Sequence, residues 1–296
     1  MRICSFLPSA TEIVYALGLS DSLVGVTYEC DYPDEARHKP VVIFSNLQAG
    51  LPEREIDSEV KQSASTGSAL YRLDADRLRE LKPDLIIAQD LCRVCAASPN
   101  DLGPVLASLT PEPAVLTLTP HTVDDVFNDI LRVGDATNRS AEAHALVGEL
   151  RKRVAQVVRH QPAKRPRVLC LEWLEPPFAA GHWVPEMVAM AGGDDTFGRV
   201  GEHSSQLDWQ AIEAEDPDLI LAMPCGFHLR EVENELKRVE FPEEWFELRA
   251  VREGKVFPVD ASSYFSRPGP RIVEGIVQLA EIFDRTRKAP THAKSA

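Results

Sequence analysis

Short apolar runs alternate with helical patterns along this chain, and this alternation limits the fold more than any other feature. The runs indicate buried strands, because they are short, apolar and bounded by turn residues. They lie at Arg2 to Phe6, Leu23 to Thr27, Leu85 to Gln89, Ala114 to Leu118, Arg167 to Glu172, Leu219 to Met223 and Lys255 to Val259. Strand, helix, strand is the order found in parallel-sheet proteins. The sequence therefore predicts an α/β fold with mainly parallel sheets.

One short segment occurs twice. Pro83-Asp84-Leu85-Ile86 and Pro217-Asp218-Leu219-Ile220 each end an acidic helix and start an apolar strand. A segment of this kind is expected twice if the chain contains two lobes with the same plan. A chain of 296 residues also has room for two domains of about 150 residues each. We expect two Rossmann-like lobes.

The segment between the lobes has the apolar spacing of a helix. From Thr122 to about Arg159 no proline interrupts the pattern, which predicts one long linker helix, kinked near Gly134. Such a linker would limit motion of the lobes. The predicted domains are residues 1–121, a linker helix at 122–161, residues 162–288, and a disordered tail at 289–296. Near the start, Ser9-Ala10-Thr11-Glu12 is a capping-box sequence that predicts a helix to about Gly18.

Charge and composition exclude several classes of protein. The formal net charge is −14 and no run of lysine and arginine stands out, so nucleic acid and anionic membranes are poor partners. No window approaches the ~18 apolar residues of a spanning helix, and the first apolar run is too short for a secretory signal. We expect a cytoplasmic protein, or a periplasmic or extracellular one if a signal was removed before numbering. No motif of the common enzyme classes occurs, which predicts a protein that is not an enzyme and requires no cofactor.

Three cysteines are candidate metal ligands. Cys92 and Cys95 form a C-x-x-C pair directly after a predicted strand, and Cys30 follows another strand. His182 from the second lobe could join them. A single C-x-x-C supplies only half of the ligands of a structural zinc site. The alternative is that these cysteines are packed or unliganded reduced thiols, since six cysteines are few for a disulfide scaffold.

Aromatic residues cluster in two loops of the second half. Trp173, Phe178 and Trp183 follow a strand, where they would suit a flat, apolar ligand. The alternative is a hydrophobic lid over the core of that lobe. A second loop holds Tyr264, Phe265 and Arg267, whose guanidinium could hold an amide or an acid group of a ligand or form a surface salt bridge.

Five motifs occur in order along nearly the whole chain. They are Pro8-Ser9-Ala10-Thr11-Glu12, Asp31-Tyr32-Pro33, Leu81-Lys82-Pro83-Asp84-Leu85, Pro176-Pro177-Phe178 through Gly192-Gly193, and Tyr264-Phe265 with Arg267-Pro268-Gly269-Pro270-Arg271. In their order and spacing they resemble the cobalamin-binding proteins of ABC importers, a branch of the helix-linked substrate-binding proteins that also includes siderophore and haem binders.

The resemblance implies two lobes joined by one long helix, with a ligand in the cleft between them and no chemistry performed on it. By position, Tyr28, Phe178, Tyr264 and Arg267 resemble residues that contact the corrinoid. The surface positions that dock to a permease fall at Asp76 and Gln210, where the family has glutamates. The full set of predicted ligand-contacting residues is Tyr28, Glu29, Trp173, Phe178, His182, Trp183, Tyr264, Phe265 and Arg267.

Two classes of function follow. The first is a non-catalytic binder of cobalamin or a related corrinoid, as part of an importer or as a cytoplasmic relative. The second is a thiol-dependent metal or redox protein, or a binder of haem or a siderophore, on the same scaffold. The aromatic loops favour the first class.

Overall fold

The computed structural model describes residues 1–48, 50–66, 68–89, 105–106, 109–161 and 164–288. The chain forms two compact units. The first unit comprises Met1–Pro120, Asp124–Glu149 and Pro268–Pro270, and the second comprises His121–Val123, Leu150–Arg267 and Arg271–Ala296. Each unit has its own sheet, as the repeated segment in the sequence predicts.

The first unit is an α/β structure with a mainly parallel sheet. Its strands are β1 (Ile3–Ser5), β2 (Leu23–Thr27), β3 (Val41–Ser45), β4 (Tyr71–Leu73), β5 (Leu85–Gln89) and β6 (Ala114–Leu118), and its first helices are α1 (Pro8–Ala16), α2 (Glu53–Thr66) and α3 (Ala75–Leu81). The strand order is β4-β3-β2-β1-β5-β6, and only the β3–β4 pair is antiparallel. All four strands expected in this half are present.

The start of α1 differs from the capping-box prediction. The helix begins at Pro8, with Leu7 as an extended N-cap, and Ser9 is buried inside the first turn. Proline suits the first helical position because its fixed φ already matches the helix and its missing N–H would be unsatisfied there anyway. The helix ends at Ala16, and Gly18 takes a positive φ of 71° just beyond it.

The predicted single linker helix is wrong. The segment forms two helices, α4 (Val123–Ala136) and α5 (Ser140–Arg159), separated by a turn in which Asn138 has a φ of 57°. The break follows from a close approach that periodicity cannot reveal: a Cβ at Gly134 would lie 2.4 Å from the Cβ of Ala143. Residues 122–161 do not form a separate linker domain either. The first part of α5, up to Glu149, belongs to the first unit, and the rest belongs to the second. The predicted tail at 289–296 lies outside the described residues.

The second unit repeats the α/β plan with more antiparallel pairing. Its strands are β7 (Arg167–Leu174), β8 (Pro177–Ala179), β9 (Asp194–Asp195), β10 (Ser205–Gln206), β11 (Leu219–Ala222) and β12 (Val256–Pro258), and its helices are α6 (Val184–Ala191), α7 (Trp209–Glu215), α8 (Leu229–Arg238), α9 (Glu243–Glu247), α10 (Arg249–Arg252), α11 (Ala261–Tyr264) and α12 (Ile272–Lys288). The order is β10-β8-β7-β11-β12, with β9 beside the start of β7. Pairs β7–β8 and β8–β10 are antiparallel.

The repeated Pro-Asp segment performs the same structural task in both units. Asp84 accepts a hydrogen bond from the backbone N–H of Arg2 at 2.7 Å, and Asp218 accepts one from Arg167 at 2.9 Å. Each aspartate thereby fixes the start of the strand beside its own, β1 or β7. The residue before each proline, Lys82 or Asp216, ends its helix in the left-handed conformation.

The core of each unit consists of the apolar strand residues and the helix faces packed on them. Buried side chains of the first core include Cys4, Phe6, Val42, Ile86 and Leu78, and those of the second include Leu169, Leu171, Ile220, Trp245 and Val232. Across the described residues, every helix is too short or too polar to span a bilayer.

Candidate functional site

In the first unit, polar and aromatic residues follow the carboxyl end of β2. Open α/β sheets bind ligands at the carboxyl ends of their strands, beside the point where the strand order reverses. That point lies at β1, which pairs with β2 on one side and β5 on the other. Tyr28 follows β2 directly, is 44% exposed, and donates a hydrogen bond from its hydroxyl to Glu29 Oε1 at 2.7 Å. This ring is available to a ligand.

The cysteine of the same loop points inward. Cys30 is 3% exposed, and its sulfur lies 3.1 Å from Thr11 Oγ1 and 3.4 Å from Thr27 Oγ1. These contacts join the loop to α1, which favours a packing role. Cys92 and Cys95, the other two predicted metal ligands, lie outside the described residues. Within the described ranges, no three histidine, cysteine or carboxylate side chains form a metal-binding group.

In the second unit, three aromatic residues lie where β7 turns into β8. Trp173 and Phe178 are paired across these two strands, and Phe227 lies edge-on to Trp173 with ring centroids 5.9 Å apart. All three are half-buried. Rings that are held by their neighbours and still partly exposed offer apolar area to a ligand at little entropic cost.

Two of the aromatic residues predicted to contact a ligand are instead buried beneath their loops. Trp183 and Phe265 are 5% and 2% exposed, and the Trp183 indole N–H donates to the Phe265 carbonyl at 2.7 Å. For these two rings the alternative of a hydrophobic core fits the structure better. Tyr264, the neighbour of Phe265, remains half-buried, with the guanidinium carbon of Arg271 5.6 Å from its ring centre. Arg267 is 9% exposed, so little of its side chain can reach solvent.

His182 belongs to a cluster of three histidines within the second unit. Its Nε2 lies 3.0 Å from Nδ1 of His203, and the ring of His121 lies 5.9 Å and 6.1 Å from the rings of His182 and His203. Burial and the nearby His203 and His121 lower the pKa of His182 from 6.5 to about 4. His182 is therefore neutral at physiological pH.

Glu172, at the end of β7, holds together the two loops that carry this histidine pair. Its Oε1 accepts from Ser204 Oγ at 2.7 Å, and its Oε2 accepts from the backbone N–H of Gly181 at 3.3 Å. The sequence indicated that Glu172 lies near the aromatic loop. The sequence could not show that Ser204, 32 positions further on, contacts Glu172 and brings His203 with it, because that contact is purely tertiary.

A second histidine cluster resembles a catalytic triad in composition only. His228, Asp260 and Ser263 lie close together, but both Asp260 Oδ1 and Ser263 Oγ contact the same ring nitrogen, Nδ1, at 3.1 Å and 3.4 Å. A nucleophilic triad requires the serine and the aspartate on opposite nitrogens. Here His228 caps α8 and Asp260 caps α11.

The two predicted docking positions are structurally equivalent. Asp76 and Gln210 are each the second residue of a seven-residue helix, α3 or α7, that leads into the repeated Pro-Asp segment. Both are exposed, and Asp76 pairs with Arg79 at 2.6 Å. The substitution at Gln210 removes a negative charge that the resemblance implies at this surface.

Comparison with known proteins defines the class. The chain belongs to the periplasmic binding protein family, which its sequence matches over residues 3–262. This confirms the resemblance and the two-lobed α/β fold predicted from the sequence.

Individual relatives are distant but cover almost the full chain. One is the uncharacterized ABC transporter substrate-binding lipoprotein YvrC of Bacillus subtilis, which is 25% identical over 95% of this chain and 79% of its own. Another is the vitamin B12-binding protein of Vibrio parahaemolyticus, at 22% identity over 97% and 90%. Among solved structures, the periplasmic heme-binding protein RhuT from Roseiflexus sp. RS-1 matches with a TM-score of 0.72, at 23% identity over 97% and 99%.

Proposed function

We propose that this protein is a substrate-binding protein of an ABC importer and that it binds cobalamin or a related corrinoid without altering it. The observation that carries the proposal is a set of partly exposed aromatic rings in both units, which lie after β2, near the end of β7, within β8 and at the end of α11. Tyr28 supplies one from the first unit, and Trp173, Phe178 and Tyr264 supply three from the second. A large, flat, mainly apolar ligand with polar edges suits such rings.

The polar neighbours of these rings are suited to recognition rather than to reaction. The Tyr28 hydroxyl is already engaged with Glu29, and Glu172 holds two loops together. The His228, Asp260 and Ser263 cluster lacks the geometry of a nucleophile and its base. In this proposal the corrinoid is transported cargo and not a cofactor.

We place the protein outside the cytoplasm. The cytoplasmic interpretation of the sequence finds no support among the relatives, one of which is named a lipoprotein and another a vitamin B12-binding protein. The alternative of a periplasmic or extracellular protein agrees better with its family.

The partner would be an ABC permease, reached through Asp76 and the equivalent Gln210. An acidic protein of net charge −14 suits a basic docking surface. Because Gln210 is neutral, charge attraction in the second unit would come from other carboxylates. Glu213, which is exposed on the same helix, is one such group.

Titration with cobalamin tests the ligand. Purified protein is mixed with hydroxocobalamin, haemin and a ferric siderophore, and binding is followed by visible absorption and calorimetry. Cobalamin should bind, and Tyr264→Ala and Phe178→Ala should each weaken binding by about 1 to 3 kcal/mol if these rings are central contacts.

Phe246→Ala is the matched control, because Phe246 is 58% exposed on α9 and does not follow a strand. It should bind like the wild type. Absence of cobalamin binding at high micromolar concentration would refute the proposal. Selective binding of haemin or of the siderophore would show that this chelate, and not a corrinoid, is the ligand.

A further inference from the structure

Two histidines, 21 positions apart in the sequence, meet through ring nitrogens in the second unit. We propose that His182 and His203 together bind one divalent transition-metal ion of the Zn²⁺, Ni²⁺ and Cu²⁺ type. The proposal does not depend on the corrinoid function, although His182 is also one of the residues predicted to contact that ligand.

The spacing of the two rings already suits one ion. His182 Nε2 and His203 Nδ1 are 3.0 Å apart. Two imidazole nitrogens that bind one ion at about 2.0 to 2.1 Å are roughly 2.9 to 3.4 Å apart at tetrahedral or right angles. The ion would lie beside the line that joins the two nitrogens, and each ring would turn so that its lone pair points at the ion while the distance between the nitrogens stays nearly the same.

The proton balance of this step is simple. In the metal-free pair, one of the two facing nitrogens carries the hydrogen that makes their hydrogen bond. On binding, that ring moves its proton to its other nitrogen, so that both facing nitrogens present lone pairs. Neutral imidazole is a preferred ligand of these ions, and no net proton needs to be released.

The backbone holds the two loops in a fixed register. The N–H of His182 donates to Glu202 O at 2.6 Å, and the N–H of Gly201 donates to His182 O at 2.9 Å. Gly181 permits this approach, since a Cβ there would lie 2.5 Å from Ser204 N and 2.6 Å from Glu202 O. Histidine side chains on loops held by such contacts lose little entropy when the ion binds.

The pair is accessible and its coordination is open. His203 is exposed and His182 is half-buried, so an ion can reach both rings from solvent. Because the described residues contain no group of three metal-binding side chains, the other coordination positions would be taken by water or by an incoming ligand. Glu202, exposed on the same loop, adds negative charge, whereas Arg199 directs its guanidinium to Phe197 O and Gly198 O.

The experiment uses tag-free, chelator-treated full-length protein titrated with Co²⁺ and Ni²⁺. Calorimetry measures affinity, and the absorption of bound Co²⁺ distinguishes nitrogen ligands from thiolates by their charge-transfer bands. Wild type should bind about one ion through nitrogen. His182→Ala and His203→Ala should each weaken that binding by at least about tenfold.

Two controls separate this site from other donors. His144→Ala removes an exposed histidine on α5 whose Nδ1 lies 2.8 Å from Ser140 O, and it should bind as the wild type does. Cys92→Ser/Cys95→Ser should also retain the site. Wild-type affinity in both His182→Ala and His203→Ala, with the fold intact by circular dichroism, would overturn the proposal. Loss of binding in the double cysteine variant would equally overturn it, by assigning the ion to thiolates. Cobalamin titration of the same variants tests the corrinoid function separately.

Discussion

The carboxyl group of Asp129 should make the protein lose stability as the pH rises. Asp129 lies in α4 and is 4% exposed. Its Oδ1 accepts from Arg132 at 2.7 Å, but its Oδ2 is buried without a hydrogen bond among the described residues. Burial raises the pKa of this carboxyl from 3.8 to about 6, although the hydrogen bond and charge of Arg132 oppose the shift.

The sign follows from where the proton binds more tightly. Between pH 3.8 and about 6, the folded protein holds the Asp129 proton and the unfolded chain has released it. Stability therefore falls as the pH rises through this window. A shift of roughly two pKa units corresponds to about 3 kcal/mol in total, of which about 2 kcal/mol is lost between roughly pH 4.5 and 7.5.

Urea unfolding of the wild type and Asp129→Asn at several pH values measures this loss. Asparagine keeps the shape and cannot ionise, so the variant should gain about 2 kcal/mol relative to the wild type between roughly pH 4.5 and 7.5. Asp124→Asn, which removes an exposed carboxylate from the same helix, is the control for the loss of a negative charge there. Parallel curves for Asp129→Asn, or a change in the opposite direction, would refute the reasoning.

Three further predictions test the packing by denaturant unfolding. Gly134→Ala should cost about 1 to 3 kcal/mol because its Cβ would meet Ala143, whereas Gly148→Ala, with open space around it, should stabilise by about 0.5 to 1 kcal/mol; equal effects would contradict the close helix approach. Asp218→Ala should cost about 1.5 to 3 kcal/mol and Asp84→Ala only about 0.5 to 1.5, because Asp218 also accepts from Arg249 at 2.8 Å; the reverse order would count against this account of the repeat. Gly181→Ala should cost at least about 2 kcal/mol, and an unchanged midpoint would show that loops 181–183 and 202–204 can separate freely.

The candidate site was predictable only in part. Tyr28, Trp173, Phe178 and Tyr264 come after strands predicted from the sequence. The structure places Trp173 in β7, Phe178 in β8 and Tyr264 at the end of α11, and it leaves all four rings partly exposed. Trp183 and Phe265 carry the same sequence signal but lie in the core, since the side of a loop that faces inward is decided by its neighbours. No feature of the sequence indicated that His203 belongs to a site.

The sequence by itself determined seven of the twelve strands of the described structure, the mainly parallel pairing and the division into two lobes; it did not indicate β3, β4, β8, β9 or β10. The features that it determined depend on local apolar periodicity and on the repeated Pro-Asp segment, in which Asp84 and Asp218 each act on the strand beside their own. Such features are encoded in neighbouring residues, so they can be recognised without the fold.

Only the tertiary structure decided the break between α4 and α5, the burial of Cys30 and the meeting of His182 with His203. The helix break depends on the approach of Gly134 to Ala143, and the histidine pair depends on backbone hydrogen bonds between residues about 20 positions apart. The spacing of apolar residues in a continuous stretch indicates which face of a helix is buried. It does not indicate the residue at which the chain reverses direction. Contacts of this kind arise from packing between elements, and for that reason the sequence pattern could not reveal them.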